Sequence, residues 1–271
     1  MSTFFEGKRV IITGSSMGIG KMLAIEIGKL GGKVIINGRN ALKLQETENN
    51  LKENGIDVLA VEGDITKTEV CRQLIQATIR QYGGIDILIN NAGSSMRGQL
   101  SDLMPGVIET VYNVNAVAPS VLSGMAAEEL SKTKGSIVFI SSLAGLRGLP
   151  FLSIYSAAKM SLTAIAQSLR IELKSKNVHV GIVYVGITEI EKDKYTIGKN
   201  GEKIYLEERK GVFTESILSV TKKIIHHIQS RKNTTVIGIA GKFYFILNKF
   251  FPGLLTLMIA RSAKQTEKLY K

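Results

Sequence analysis

A doubly wound α/β fold, with about seven parallel strands and helices on both faces, is what this sequence predicts. Three observations carry the prediction. Short β-branched runs alternate with longer helical patterns along the whole chain. The first run leads directly into a glycine-rich loop, Thr13 to Gly20. No linker, repeat or low-complexity stretch divides the 271 residues.

The elements follow in order. Residues 10–13 form an apolar run ended by glycine, as in a buried parallel strand. A helical pattern covers 19–30 and closes at Gly31-Gly32. Strands are expected at 34–37, 58–61 and 85–90, with helices at 41–54 and 69–81 between them. One helix is expected over 106–130, a strand at 136–141, a long helix at 154–174 and a strand at 178–185. A helix at 215–230 and a strand at 235–240 complete the sheet. Right-handed crossovers then place a ligand cleft beyond the carboxyl ends of the strands. Residues 1–241 read as one cofactor-binding and catalytic domain, and 242–271 as an extension of it. The charged, glycine-containing stretch 189–214 reads as a loop lid over a substrate.

The balance of 35 basic against 23 acidic residues leaves a net charge of +12, which admits nucleic acid, anionic lipid or an anionic substrate as partner. No basic stripe is interleaved with aromatics, so nucleic acid is not expected. The single cysteine, Cys71, excludes an internal disulfide framework and fits a reducing compartment, with Cys71 itself a small, partly buried helix residue. No leader-like segment opens the chain, so a cytoplasmic location is expected, with peripheral membrane contact.

Chemistry is concentrated in a few positions. Tyr155 and Lys159 stand one helical turn apart on one face, with Ser142 thirteen residues ahead of the tyrosine. An ammonium beside a phenol favours the tyrosinate, so a lowered Tyr155 pKa is expected. Such a phenol exchanges a proton with an alcohol or ketone oxygen. At the front of the chain, Gly14 permits a tight turn, Gly18 lets the backbone approach a pyrophosphate and Gly20 allows close helix packing. Ser15, Ser16 and Ile19 complete the loop at the helix N-terminus. The second strand ends Asn37-Gly38-Arg39-Asn40, without the acid that would accept from a ribose 2′-hydroxyl. Arg39 suits a 2′-phosphate, so NADP is favoured over NAD, against a solvated loop cation as the bland alternative. Asp64, followed by Ile65, is assigned to the adenine amino group or to a turn.

With these parts in place the chain resembles the short-chain dehydrogenase/reductase family over about residues 6–190. The matching motifs are Thr13-Gly14-x3-Gly18-Ile19-Gly20, Asn90-Asn91-Ala92-Gly93, Asn115, Ser142 and Tyr155-x3-Lys159. The resemblance implies a catalytic tetrad of Asn115, Ser142, Tyr155 and Lys159. Tyr155 would act as general acid in reduction, and Ser142 would hold the substrate oxygen. Lys159 would bridge the nicotinamide ribose, and Asn115 would hold a relay water. Ser141 competes with Ser142, and Asn113 with Asn115. The resemblance also puts Asn91, Ala92 and Gly93 along the cofactor, with Asn90 on its ribose. It assigns Gly186 and Thr188 to the carboxamide end, although the family's proline before that glycine is replaced by Val185. No metal is assigned. A homodimer or homotetramer through the helices around 106–130 and 154–174 is implied.

The tail reads as apolar helix, Pro252-Gly253, apolar helix and basic end. It resembles the member 7B branch of the dehydrogenase/reductases, linked to lipid metabolism. From Lys242 to Lys271 it holds six Lys or Arg and one acid, Glu267. Its apolar runs fall short of the roughly 20 residues of a membrane span, so an interfacial segment is expected. Cover for the pocket or for a second subunit is the equal alternative. The function expected is NADPH-dependent reduction of a lipid-like or steroid-like ketone. Reduction of a 3-oxoacyl thioester and an idle NADP-binding scaffold are the rivals.

Overall fold

The computed structural model describes residues 3–207 and 214–267, with side chains to residue 263. Part of the expected lid, 208–213, and the end of the tail, 268–271, therefore lie outside the described residues. Strands β1 (Arg9–Ile12), β2 (Lys33–Gly38), β3 (Val58–Glu62) and β4 (Ile87–Asn90) alternate with helices α1 (Gly18–Lys29), α2 (Ala41–Glu53) and α3 (Thr68–Tyr82). Helices α4 (Pro105–Tyr112) and α5 (Ala118–Thr133) lead to β5 (Ser136–Ser142), and α6 (Ser153–Glu172) to β6 (His179–Val185). Strands β7 (Tyr195–Ile197) and β8 (Lys203–Tyr205) precede α7 (Ile217–Gln229), β9 (Thr234–Val236), α8 (Ile239–Phe250) and α9 (Pro252–Glu267).

Seven strands pair in the order β3-β2-β1-β4-β5-β6-β9, every pair parallel. Successive strand residues face opposite layers, as the pleat requires. Val10 and Ile12 join Leu23, Ile27, Val220 and Ile224 on the α1/α7 face. Ile11 joins Leu74, Leu122 and Leu162 on the face of α3, α5 and α6. The strand order reverses between β1 and β4, and the cleft opens at their carboxyl ends. Cys71 is buried, and burial pushes its thiol up to about 11, so it is a packing residue.

The structure corrects three expectations. The helix expected over 106–130 is two helices joined by a π-helical turn, Asn113–Val117. The strand expected at 235–240 stops at Val236, because Gly238 turns with φ 87° and Ile239 already begins α8. The lid contains an antiparallel hairpin, with Tyr195 opposite Tyr205 and Ile197 opposite Lys203.

Candidate active site

The glycine-rich loop is held by the turn after β4. Asn91 Nδ2 donates to the carbonyls of Thr13 at 2.9 Å and Gly14 at 3.0 Å. The Thr13 hydroxyl accepts from the backbone of Asn91 and Ala92 at 3.0 Å each. Gly14 turns with φ 63°, and a Cβ there would stand 2.8 Å from Ala92 Cα. A Cβ on Gly20 would lie 2.3 Å from the Gly14 carbonyl. Met17 precedes α1 without a side-chain cap, so the helix's first N–H groups remain for an anion. This cradle fits the pyrophosphate of the dinucleotide that the motifs imply.

Not every expected contact faces the cleft. Ser15 is fully buried: its hydroxyl donates to Ile12 O at 2.7 Å and its N–H to Asn37 O at 2.9 Å. It shapes the loop rather than lining it. Asn90, expected on the ribose, is also buried and donates to Ser123 Oγ on α5 at 2.9 Å. Asn91 acts through the loop it ties. Asp64 Oδ1 accepts from Thr66 N and Oγ1 at 3.0 and 2.9 Å, which is the turn arrangement, and Ile65 packs in the core. Ser16 remains at the mouth, where a Cβ on Gly38 would meet its hydroxyl at 2.8 Å. Arg39 is exposed next to it and donates to the Tyr195 hydroxyl at 2.8 Å.

At the other end of the cleft, strand alternation separates the two candidate serines. Ser141 is buried and donates to the Lys159 carbonyl at 3.2 Å. Ser142 points the opposite way, accepts from Ala144 N at 3.2 Å and lies close enough to the Tyr155 phenol to lower its pKa. The asparagines separate likewise: Asn113 is exposed and Asn115 buried. Asn115 Nδ2 donates to Ser94 O at 2.7 Å and Val111 O at 2.8 Å. Its buried Oδ1 has no donor among the described residues. A Cβ on Gly93 would lie 2.6 Å from that Oδ1 and 3.3 Å from Lys159 Nζ, so glycine keeps the two groups converging on one point. The π-turn makes this placement, which a continuous α-helical pattern did not foretell.

Lys159 Nζ is buried, donates to Ile140 O at 2.9 Å and stands 6.0 Å from the Tyr155 ring centroid. Burial lowers its pKa to about 8. Burial raises the Tyr155 phenol above its ordinary value, with the Ser142 hydrogen bond pulling the other way. The expected lowering by Lys159 is therefore corrected, since desolvating the phenolate outweighs an ammonium spent on a carbonyl. A raised phenol keeps its proton near neutral pH, and the Tyr155 hydroxyl lies beside Ser142. The Tyr155 ring joins Ile108, Ile154 and Ile197 against Met96, Leu103, Val107 and Val111. No motif marks this apolar wall, because its residues come from four separate segments.

Beyond β6, Gly186 is half-buried and Thr188 bridges to Glu215 in a parallel arrangement. Glu215 N donates to Ile187 O and Glu189 N to Glu215 O, both at 3.0 Å. Glu189 Oε1 accepts from Ile217 N at 2.7 Å, at the start of α7. These contacts hold the segment extended without the proline.

Comparison with known proteins agrees with this construction. The short chain dehydrogenase family model matches residues 8–197. A protein of Arabidopsis thaliana described as 11-beta-hydroxysteroid dehydrogenase-like 4A is 37% identical over 190 residues, 68% of this chain, and the match spans only 62% of that relative's length. Dehydrogenase/reductase SDR family member 7B of Danio rerio is 28% identical over 272 residues, covering 97% of this chain and 88% of the relative. A short chain dehydrogenase/reductase from Burkholderia phymatum, solved in complex with NAD, superposes with a TM-score of 0.81 over 94% of this chain and 97% of its own. At 20% identity that likeness carries the fold alone. With the family model covering most of its length, the chain belongs to the short-chain dehydrogenase/reductase family of oxidoreductases, whose fold binds a nicotinamide dinucleotide.

Proposed function

We infer that this protein is an NADPH-dependent reductase that converts an apolar ketone, lipid-like or steroid-like, to a secondary alcohol. The observation that carries the reading is the Ser142–Tyr155 pair set against the apolar wall of Met96, Val107 and Val111. The bound dinucleotide supplies the hydride. The chain does the rest: Ser142 orients the carbonyl oxygen, Tyr155 gives it a proton, and the wall excludes water from the substrate's body. Lys159 and Asn115 hold the proton path behind the tyrosine. The absence of an acid at 37–40 together with Arg39 supports NADP over NAD. A panel of long-chain ketones, sterols, 3-oxoacyl thioesters and sugars, assayed with NADPH and NADH, tests this. Turnover confined to thioesters moves the reading to the 3-oxoacyl rival, and no turnover at all leaves the idle scaffold.

Two further readings concern partners. The tail favours an anionic membrane surface: Phe243, Ile246, Phe250, Leu254 and Leu257 are all exposed on α8 and α9, beside Lys242, Lys249 and Arg261. The same helices also reach the catalytic loop, since Asn248 donates to Leu146 O at 2.9 Å and Arg147 donates to Asn248 at 3.0 Å. Pocket cover and membrane contact are thus compatible, one on each face. No described helix is long and apolar enough to cross a membrane. A homodimer or homotetramer is supported by exposed Tyr112, Val117 and Met160 on α4, the π-turn and α6. Vesicle co-sedimentation and light scattering test the two.

A further inference from the structure

The lid hairpin reaches both ends of the cofactor cleft. On one strand, Tyr195 accepts from Arg39 Nη2 at 2.8 Å, and in the turn before it Asp193 lies 3.8 Å from Lys43 Nζ on α2. Tyr195 is itself braced. Its ring meets Tyr205 edge-on at 6.2 Å, and the Lys203 ammonium stands 5.0 Å from its centroid. The adjacent residue, Thr196, is buried and accepts from Ser95 Oγ at 2.8 Å. Ile197 N donates to Ser95 O at 3.0 Å. Ser95 follows closely on Gly93, the point where Lys159 and Asn115 converge. Neighbouring side chains of one short strand therefore grip the Arg39 guanidinium and Ser95 in the loop after β4.

An exposed arginine on a loop samples many rotamers, and its fork recognises phosphate bidentately only when it is aimed. Tyrosine is a stiff anchor, and the bond to Nη2 leaves Nε and Nη1 as donors. We propose that Tyr195 is a positioning residue for cofactor choice. It holds Arg39 beside Gly38 and Ser16, so that the guanidinium is presented to a ribose 2′-phosphate and the lid becomes part of the cofactor-selecting site. This rests on the NADP reading above.

The test is direct binding. Dissociation constants for NADPH and NADH are measured by isothermal titration for the full chain and for Tyr195→Phe, Arg39→Ala and the double variant. The unmodified protein binds NADPH at least about tenfold more tightly. Tyr195→Phe weakens NADPH by about three- to tenfold, the range of one hydrogen bond, and leaves NADH within about twofold. The double variant is no weaker than Arg39→Ala alone, since both act through one guanidinium. A Tyr195→Phe variant that keeps the NADPH preference of the parent overturns the proposal while leaving the NADP reading intact. Equal weakening of both nucleotides, or additive losses in the double variant, also overturns it, because the hairpin would then act only as a lid. Equal binding of both nucleotides by the unmodified protein overturns the NADP reading and the proposal with it.

Discussion

At Gly14 and Gly20 of the glycine-rich loop an added methyl group would collide with backbone, whereas along α8 and α9 large apolar side chains face outward. Asn91, Thr13 and Ser15 spend their hydrogen bonds on neighbouring backbone, and Gly14 and Gly20 sit in contact with it. On the tail, Ile239 is 89% exposed and Phe250 64%. The contrast teaches where the molecule tolerates change. The groups proposed to hold the cofactor and move the proton are closely packed, while the surface proposed to meet a partner is open.

The largest effect is expected at the most constrained group. Tyr155→Phe keeps the ring and its apolar contacts but removes the proton donor, so kcat is expected to fall by about two to four orders of magnitude. That is about 3–5 kcal/mol of barrier, with the nucleotide dissociation constant nearly unchanged. Retention of most of the turnover would show that another group carries the proton.

The contact between β6 and α7 is predicted to be acid-sensitive. His179 on β6 and His227 on α7 are buried with ring centroids 6.2 Å apart, and burial holds both down to about 4. The charges of Arg170 and Arg231 push His179 the same way, and those of Arg170, Lys232 and His226 push His227, while the Lys232 carbonyl bonded to His179 opposes them. A depressed folded pKa means the unfolded chain binds protons first. The contribution is therefore intact above the ordinary value near 6.5 and is lost as pH falls towards 4. Between pH 7 and pH 5 the pair is expected to cost on the order of 3 kcal/mol. Thermal melts across that window check it, and a Tm that stays flat would contradict it.

Two glycines sharpen the contrast further. Gly20→Ala drives a methyl group to 2.3 Å from Gly14 O, for an expected loss of about 1–3 kcal/mol. Gly253, in the first turn of α9, has nothing within 4 Å of an added Cβ. Gly253→Ala is expected to stabilise slightly, by less than about 1 kcal/mol. Paired denaturant midpoints decide it, and equal effects at both sites would erase the distinction.

The smallest stability effect is expected on the tail. Phe243→Ser combined with Phe250→Ser should move stability by no more than about 0.5 kcal/mol. The same pair should sharply reduce co-sedimentation with anionic vesicles, which should itself weaken with salt. A clear drop in Tm with vesicle binding unchanged would place these side chains against protein instead.

Legibility in the sequence followed the same division. The alternation of strands and helices was plain, because a parallel sheet buried on both faces leaves continuous apolar runs. Ser142 and Tyr155 could be found from spacing, but only the pleat shows that Ser141 faces the wrong way. Asn115 was marked by motif, while the π-turn that sets its amide against Gly93 leaves no pattern in residue type. Apolar Ile237, Ile239 and Ala240 read as strand, yet Gly238 between them turns the chain into a helix. The side chains of Asn90 and Ser15 are bonded inside the fold, to Ser123 and to the Ile12 carbonyl, and polarity alone does not say whether a side chain lines a cleft or satisfies the wall behind it. The lowered phenol pKa failed because it counted the charge of Lys159 and not the desolvation of Tyr155. The hairpin at 195–205 was hidden among lysines and glutamates, and its contact to Arg39 joins segments too far apart for any local reading.

The strand order also has a consequence for how the molecule is made. β1 lies between β2 and β4, with Val10 against Val34 on one side and Ile87 on the other. The residues that lock the glycine-rich loop, Asn91 and Ala92, follow β4. A nascent chain that has emerged only through β3 holds the loop's residues but none of its clamps. The cofactor cradle therefore cannot form early in synthesis, although its motif is among the first residues made. Such non-local closure slows folding, and it exposes the β1 edge until β4 arrives.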